Sequence, residues 1–291
     1  MKPSVKFALL IILVAAVALV AYTLGRRGGV SPGSAIPPKT SAPTPAAATA
    51  KAPPAPVVAA ELLGKALSLR NDGKLAEARD LLRECLLKTS DPSSVAEVQK
   101  ALGEINIRLI LSLEPAPEKR DYVVQPGDSL KKIAQQFGTT VECIVKANNL
   151  RDASVIQPGQ RLRVTPTKFA VTVSRKDNTL LVTDDGKFFK LYRVGTGQYS
   201  TTPTGSFQIA DRIPNPVWWR EDGQAIPFGH KDNILGKYWL ALNIPRYGIH
   251  GTWEPESIGR QSSAGCVRLL NDDIEELFII LPVGTPVQIK D

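Results

Sequence analysis

Cysteine and histidine are scarce in this chain, which has three cysteines and two histidines among 291 residues. An odd number of cysteines cannot all pair within one chain, which argues against a disulfide framework. Cys-x-x-Cys and His-x-x-x-His spacings are also missing, so the sequence predicts no metal site and no cofactor. A zinc site made of His230, His250 and Cys266 stays open as a minor alternative, because these residue types bind zinc.

Basic residues never form a run of five or six, although 36 Lys and Arg against 28 Asp and Glu give a net charge of +8. The charge is spread along the chain and no nucleic-acid-binding motif accompanies it, so nucleic acid is not an expected partner. A net positive charge would also favour a membrane surface or an acidic wall polymer, but its spread along the chain argues against reading a partner from it. The apolar fraction of 43% is ordinary for globular protein, and the length leaves room for a main domain with one or two smaller ones.

Two of the three cysteines fall inside amphipathic helical patterns. Cys85 follows Leu82 at helical spacing, and Cys143 directly precedes Ile144. Free cysteines in such stripes are usually small buried apolar residues. Cys266 is then the thiol left for chemistry, although a buried structural role is open for it as well.

A histidine and a cysteine in the last fifth of the chain could combine in nucleophilic catalysis. A nearby imidazole or guanidinium favours the reactive thiolate, so His250 and Arg268 are candidate partners of Cys266. Gly251 and Gly265 flank the two reactive residues and permit tight turns, which predicts that both lie in accessible loops. The Gly251 carbonyl could also hold one imidazole nitrogen protonated while the other accepts the thiol proton.

The sequence around these residues resembles a known signature. Residues 249–252 (Ile-His-Gly-Thr) and 263–269 (Ser-Ala-Gly-Cys-Val-Arg-Leu) are similar to the motif of the YkuD-type L,D-transpeptidases, which remodel bacterial peptidoglycan. Alanine stands at 264, where many members have histidine. The resemblance implies a β-rich, sandwich-like catalytic domain at 168–291, in line with the period-two apolar pattern of this region. Three further segments of the family occur in the expected order, at 203–207, 247–250 and 282–287.

One helix, at 272–281, interrupts the strand pattern of this domain. Asn271 is predicted to cap it, and acidic residues stand in its first turn. Ile274, Leu277 and Phe278 share one face of this helix. We expect that face to pack behind the cysteine loop.

The family resemblance implies a mechanism. Cys266 attacks the carbonyl of the third residue of a tetrapeptide stem and expels the terminal D-alanine through a thioester, while His250 accepts the thiol proton and returns it to the leaving amine. A side-chain amine of a second stem then forms a 3-3 cross-link. Backbone N–H groups around Gly265 and Cys266 are candidate oxyanion donors. His230 and Tyr247 are candidate substrate contacts, and a set of aromatic residues belongs either to the groove or to the core: Trp218, Trp219, Trp239 and Tyr238.

Two residues of the motif have competing interpretations. Arg268 either assists Cys266, binds a substrate carboxylate, or forms a salt bridge with Asp272 or Asp273. Ser263 either hydrogen-bonds at the site or fixes the loop. Both stay on the candidate list as catalytic residues.

The acceptor of the acyl group stays open. Water would make the protein an L,D-carboxypeptidase, and a protein lysine would make it an enzyme that attaches proteins to the wall. A non-catalytic peptidoglycan-binding adaptor is the alternative from another class. The intact set of motif residues argues against the adaptor.

The stretch at 120–165 predicts a strand, two helices and a closing strand. It resembles a LysM domain through 122–130 (Tyr-x-Val-x-Pro-Gly-Asp-Ser-Leu), 147–150 (Ala-Asn-Asn-Leu) and 156–162 (Ile-x-Pro-Gly-Gln-x-Leu). The resemblance implies binding of N-acetylglucosamine-containing glycan strands. Each candidate glycan contact is equally explained as a turn, cap or core residue: Gly127, Asp128, Ser129, Leu130 and Ile156.

The region before the LysM stretch has three parts. An uninterrupted apolar run at 7–24 is long enough to cross a bilayer once, so residues 1–27 are predicted to be a membrane anchor, with a cleaved signal peptide as the alternative. The Pro- and Ala-rich stretch at 28–57 is predicted to be a disordered linker. Residues 58–114 predict three helices whose first pair is a tetratricopeptide-like hairpin, either a spacer or a docking unit for a protein partner. The catalytic domain is then expected outside the inner membrane, in the periplasm.

Overall fold

The computed structural model describes residues 55–152, 156–220 and 222–291. Within these ranges no helix is both long and apolar enough to cross a membrane. The predicted anchor at 1–27 and the predicted linker up to residue 54 lie outside the described residues. The first helix begins at Ala55, so the linker prediction is wrong for its last three positions. Pro56 stands in the first helical turn, where a missing N–H leaves no bond unmade.

Three helices form the first part of the described chain, as predicted: α1 (Ala55–Asn71), α2 (Leu75–Lys88) and α3 (Pro92–Ile110). Their apolar side chains recur at spacings of three and four and share one buried cluster. The Asp91 carboxylate accepts a hydrogen bond from the Ser94 amide at 2.9 Å and so caps α3.

The LysM stretch has the predicted βααβ order. β1 (Arg120–Val123) pairs antiparallel with β2 (Arg161–Val164), and two short helices lie between them, α4 (Leu130–Phe137) and α5 (Val141–Ala147). A separate apolar cluster fills this unit, with Ile133 and Leu162 almost completely buried.

The remainder of the chain is β-rich and contains one longer helix, α6 (Asn271–Ile280). Eight strands form one mixed sheet in the order β13-β11-β10-β7-β14-β3-β4-β5. Two further pairs, β6 with β12 and β8 with β9, lie outside that sheet. The strands are β3 (Phe169–Ser174), β4 (Thr179–Asp184), β5 (Lys187–Arg193), β6 (Thr196–Gly197), β7 (Gly205–Pro214), β8 (Trp218–Trp219), β9 (Ala225–Ile226), β10 (Tyr238–Leu242), β11 (Gly248–His250), β12 (Gln261–Ser263), β13 (Val267–Arg268) and β14 (Pro286–Lys290).

The long strand β7 joins two halves of this sheet. Its first residues pair with β14 and its last residues pair with β10, so one strand serves both halves. Side chains from both halves and from α6 share a single apolar core, including Val173, Leu240 and Leu277. The two ends of the sheet also meet, because the backbones of Gly195 and Arg268 exchange two hydrogen bonds of 2.8 Å. This closure places the end of β5 beside β13.

The LysM unit is docked on the catalytic sheet through α5 and α6. The Thr140 hydroxyl donates to the Ile279 carbonyl, and Cys143 belongs to the apolar core of the catalytic part. Arg212 pairs with Glu142 at 3.0 Å across the same contact. The two units therefore pack directly on one another.

Cys85 and Cys143 are free and buried, as predicted from their helical spacing. The Cys85 thiol donates to the Ala59 carbonyl at 3.2 Å. Burial raises the pKa of the Cys143 thiol to about 11. Neither thiol is available as a nucleophile.

The helical unit is held to the catalytic sheet by a buried side chain of α3. Asn106 is 3% exposed, and its amide donates to the Phe189 carbonyl of β5 at 2.8 Å. We expect Asn106→Ala to lower the free energy of unfolding by about 2 kcal/mol, because a buried carbonyl would lose its donor. Urea unfolding measures the change, and Arg108→Gln, which alters an exposed ion pair on the same helix, serves as the control. An unchanged midpoint for Asn106→Ala would contradict this role.

Candidate active site

Two neighbouring parallel strands bring the candidate base and nucleophile together. β11 and β13 pair so that His250 lies opposite Arg268, and Cys266 directly precedes β13. Cys266, His250 and Arg268 line one cleft of about 980 Å³. Cys266 lies in a turn and is partly accessible, as predicted. The loop prediction is wrong for His250, which ends a strand and is 1% exposed because strands cover it on both sides.

The imidazole of His250 is held by contacts on two sides. Nδ1 lies 2.6 Å from the Gly251 carbonyl oxygen, the contact expected from the sequence. The Trp239 indole stacks on the ring with centroids 5.4 Å apart and an interplanar angle of 20°. Gly248 makes room for that indole, because a methyl group there would lie 2.5 Å from it. In the tautomer that carries its proton on Nδ1, directed at Gly251, Nε2 is the ring nitrogen that can accept a proton.

Burial dominates the electrostatics of both reactive groups. It lowers the pKa of His250 to about 4; the Arg268 charge adds to the shift, and backbone hydrogen bonds at Gly251 and Leu235 oppose it. Burial also raises the pKa of the Cys266 thiol, against a backbone hydrogen bond at Gly248 and the Arg268 charge. The expectation that nearby cationic groups would leave Cys266 with a lowered pKa is therefore wrong. Both groups are neutral at pH 7.

The turn that carries Cys266 depends on glycine and serine. Gly265 has φ +138°, and a methyl group there would lie 2.7 Å from the Tyr247 ring. The Ser263 hydroxyl donates to the Cys266 carbonyl at 2.7 Å and accepts from the Gly265 amide at 3.1 Å. These bonds support the loop-fixing interpretation of Ser263. They also engage the Gly265 amide, so the Cys266 amide is the better candidate for an oxyanion donor.

Arg268 pairs with a residue that the sequence did not indicate. Its Nη1 lies 2.9 Å from Glu254 Oε2, so Arg268 does form a salt bridge, one of its three alternatives, but with Glu254 and not with Asp272 or Asp273. Arg268 does not pair with these aspartates because β13 directs its side chain into the cleft, whereas the two aspartates belong to the first turn of α6.

Asn271 is a site residue that the sequence reasoning missed. The sequence predicts that Asn271 caps the helix, but the capping position is Leu270, and Asn271 is the first helical residue. Its amide donates to the Thr252 carbonyl at 3.0 Å, while its Oδ1 is buried without a hydrogen-bond partner. A methyl group on Gly251 would overlap that oxygen. Asn271 therefore braces the turn whose carbonyl holds His250.

We expect Asn271→Ala to lower kcat for a tetrapeptide donor about tenfold with little change in KM, because a displaced imidazole loses its alignment with the thiol. Steady-state kinetics measure this split. Asn106→Ala provides a variant with a similar loss of stability far from the cleft, and its kcat should stay at the wild-type value. Equal losses of kcat in both variants would contradict a positioning role for Asn271.

The other predicted substrate contacts have mixed outcomes. Tyr247, Trp218, Trp219 and Trp239 line the cleft. Tyr238 instead stacks on Phe278 of α6, with centroids 4.4 Å apart. The structure places His230 in an exposed turn outside the cleft wall, where its Nδ1 accepts from the Asp232 amide at 3.2 Å.

Most of the residues predicted to contact glycan have structural roles in the LysM unit. Asp128 accepts from the Tyr122 hydroxyl at 2.7 Å, and Ser129 caps α4 through the Lys132 amide at 3.3 Å. Leu130 is buried in the LysM core, and Ile156 packs against that core. Gly127 has φ +84° in the exposed turn. Glycan binding by these residues stays a prediction.

Metal binding has no support in the described ranges, where no three His, Cys, Asp or Glu side chains are placed to share an ion. Nδ1 of His250 contacts the Gly251 carbonyl oxygen, and the Trp239 indole stacks on the ring.

A thiol and a buried, uncharged imidazole line one cleft of a β-rich domain. The family model of the L,D-transpeptidase catalytic domain matches residues 168–289, and the LysM model matches 122–165. Two proteins whose names assign them to the L,D-transpeptidases as YkuD are similar to the chain. The one from Bacillus licheniformis is 35% identical over 58% of this chain and 97% of its own length, and the one from Bacillus subtilis is 37% identical over 58% and 98%. The chain belongs to the YkuD L,D-transpeptidase family and carries a LysM domain.

Solved structures of the same family also resemble the chain. The catalytic domain of an Enterococcus faecium L,D-transpeptidase is 24% identical, with 42% of this chain and 96% of that domain covered and a TM-score of 0.36. The family assignment rests on the more similar Bacillus sequences.

Proposed function

We propose that the protein is a peptidoglycan L,D-transpeptidase that forms 3-3 cross-links outside the cytoplasm through a thioester on Cys266. The observation that supports this most is that the Cys266 thiol and an oriented, neutral His250 line one cleft, which is large enough for a peptide. Family membership indicates the class of reaction, and the residues fit the chemistry.

The proposed acylation begins from two neutral groups. Cys266 Sγ attacks the carbonyl carbon of the third stem residue while its proton passes to Nε2 of His250, and the Cys266 amide faces the developing oxyanion. The C–N bond to the terminal residue then breaks, and the imidazolium returns the proton to the leaving amine. An incoming amine attacks the thioester, gives a proton to His250 and forms the new amide, and Cys266 leaves as the thiol.

Two other parts of the chain would hold the catalytic domain near the peptidoglycan. The LysM unit is proposed to bind glycan strands, and the apolar run at 7–24 is proposed to anchor the chain in the membrane. The docking of LysM on α6 would hold the bound glycan close to the catalytic domain.

The full chain incubated with disaccharide-tetrapeptide tests the reaction, with products identified by mass. D-alanine release with a 3-3 dimer supports the transpeptidase. Tripeptide without dimer would mean an L,D-carboxypeptidase, and product only when a lysine-bearing protein is added would mean wall-protein attachment. No product that depends on Cys266 would overturn the enzymatic proposal and favour a glycan-binding adaptor.

A further inference from the structure

A second cleft lies where the three folded units of the described chain meet, and we call it the junction cleft. Its volume is about 640 Å³, within the ~300–1,000 Å³ range of small-molecule sites. Its lining comes from α2 and α3 of the helical unit, from the end of α4 and from the hairpin between β4 and β5. Among the described residues, none lines both this cleft and the one at Cys266.

The junction cleft is also separate from the turn that carries predicted glycan contacts of the LysM unit. Gly127 and Ser129 precede the first turn of α4, whereas Gln135, Gln136 and Phe137 belong to its last turn. The eight residues of α4 span roughly 12 Å at ~1.5 Å per residue. A ligand in the junction cleft would therefore bind at the opposite end of this helix.

Two buried residues of the lining have hydrogen-bonding groups that the protein leaves unused. Arg79 is 3% exposed and its terminal nitrogens pair with Glu118, but its Nε is buried without a hydrogen-bond partner, 3.8 Å from an Asp80 oxygen. Thr165 is 8% exposed, and its hydroxyl has no hydrogen-bond partner among the described residues. Unused polar groups in a buried lining are unfavourable, and a ligand with donors and acceptors would satisfy them.

The charges of the lining favour an uncharged ligand. Arg79 is paired with Glu118, and Lys168 lies 3.3 Å from Asp185, so each of these cations has an anion beside it. A charged ligand of either sign would meet a like charge as well as an opposite one. Hydroxyl groups both donate and accept hydrogen bonds, which suits a lining of mixed charge.

Aromatic and amide side chains of the lining suit a sugar ring. Phe137 and Phe188 are partly buried there, and the face of an aromatic ring is negatively polarised, so it attracts the C–H groups of a pyranose. The side-chain amides of Gln135 and Gln136 are exposed and form no hydrogen bond within the described ranges. They can bind sugar hydroxyls without breaking a contact in the protein.

We propose that the junction cleft binds a neutral saccharide, at a site separate from both the Cys266 cleft and the turn that precedes α4. The proposal goes beyond the proposed function and does not depend on turnover at Cys266. Because all three units contribute to the lining, the bound saccharide would hold the helical unit, the LysM unit and the catalytic domain in one arrangement.

Calorimetric titration of the full chain with the N-acetylglucosamine tetramer tests this site. We expect Gln135→Ala/Gln136→Ala to weaken one binding step of the wild type at least about tenfold, because two hydrogen bonds to the sugar are lost. The urea midpoint of the double variant should stay at the wild-type value, since neither amide is bonded in the protein. Lys131→Ala changes an exposed residue of the same helix outside the cleft and is the control. Identical titrations for the wild type and the double variant would overturn the proposal, as would a wild type that binds no tetramer.

Further titrations locate the affected step and identify its chemistry. Ile156→Ala removes a candidate contact of the LysM unit and should leave the step unchanged; its loss in that variant would place binding at the LysM contacts and overturn a second site. The deacetylated tetramer, whose amines are positively charged in mildly acidic buffer, should bind at this step at least about tenfold more weakly. Equal or tighter binding of that cation would overturn the choice of a neutral ligand. Free N-acetylglucosamine bound at the same step would identify a single sugar as the ligand, and binding of the tetramer alone would identify a glycan strand.

Discussion

Cys266→Ala is expected to abolish release of the terminal residue from a tetrapeptide, and Cys266→Ser to lower its rate by at least about 10³-fold. The reason is the resting state of the site. An imidazole whose pKa is about 4 is a weak base, so it deprotonates a nucleophile only when proton transfer accompanies attack, and an alcohol gives up its proton far less readily than a thiol. Mass detection of tripeptide measures both losses.

The control for this experiment is Cys85→Ala, which removes a thiol buried between helices. That variant should unfold more easily yet keep its specific activity in the folded state. Substantial turnover by Cys266→Ala would show that the thioester route is wrong, whatever the family resemblance suggests.

His250→Gln is expected to lower kcat by about 10²- to 10⁴-fold and to change how stability depends on pH. The pKa of His250 is lowered in the folded protein, so below the ordinary histidine pKa the unfolded chain takes up a proton that the folded chain refuses. Stability is then lost as pH falls from about 6.5 to about 4, by about 3 kcal/mol at most. Urea titrations at several pH values should show this component in the wild type and its absence in His250→Gln.

His230→Gln is the matched control, because it removes the second histidine from an exposed turn. It should leave both kcat and the pH dependence of stability close to those of the wild type. A wild-type kcat that falls with a midpoint near pH 6.5 would contradict the neutral-base mechanism. A shallow acid limb near pH 4 would support it.

The sequence predicted structure where that structure depends on residues adjacent in the chain. The glycine beside Cys266, the turn after β1 and the apolar stripes of the helices each predict a structure from a few adjacent residues. The missed features depend on contacts between distant segments. Trp239 reaches His250 only because β10 and β11 pair in a particular register, and Arg268 meets Glu254 only after the sheet has formed.

Besides contacts between distant segments, the burial of the reactive groups could not be predicted from the sequence. A guanidinium near a thiol indicates a lowered pKa, but the direction depends on how much water the folded site excludes. At Cys266 the exclusion of water outweighs the charge of Arg268, so the sign reverses. Short strands such as β11 and β13 have too few residues to show a period of two, which is why His250 was predicted in a loop.

The docking of LysM on α6 fixes the distance between the LysM unit and Cys266. A module on a flexible tether samples many distances, whereas one packed through Thr140 and Cys143 has its orientation fixed by the catalytic core. If the LysM unit binds a glycan strand, only stem peptides a fixed number of sugars away from the bound position can reach Cys266. The contact between α5 and α6 would then determine how far apart the cross-links lie along a strand.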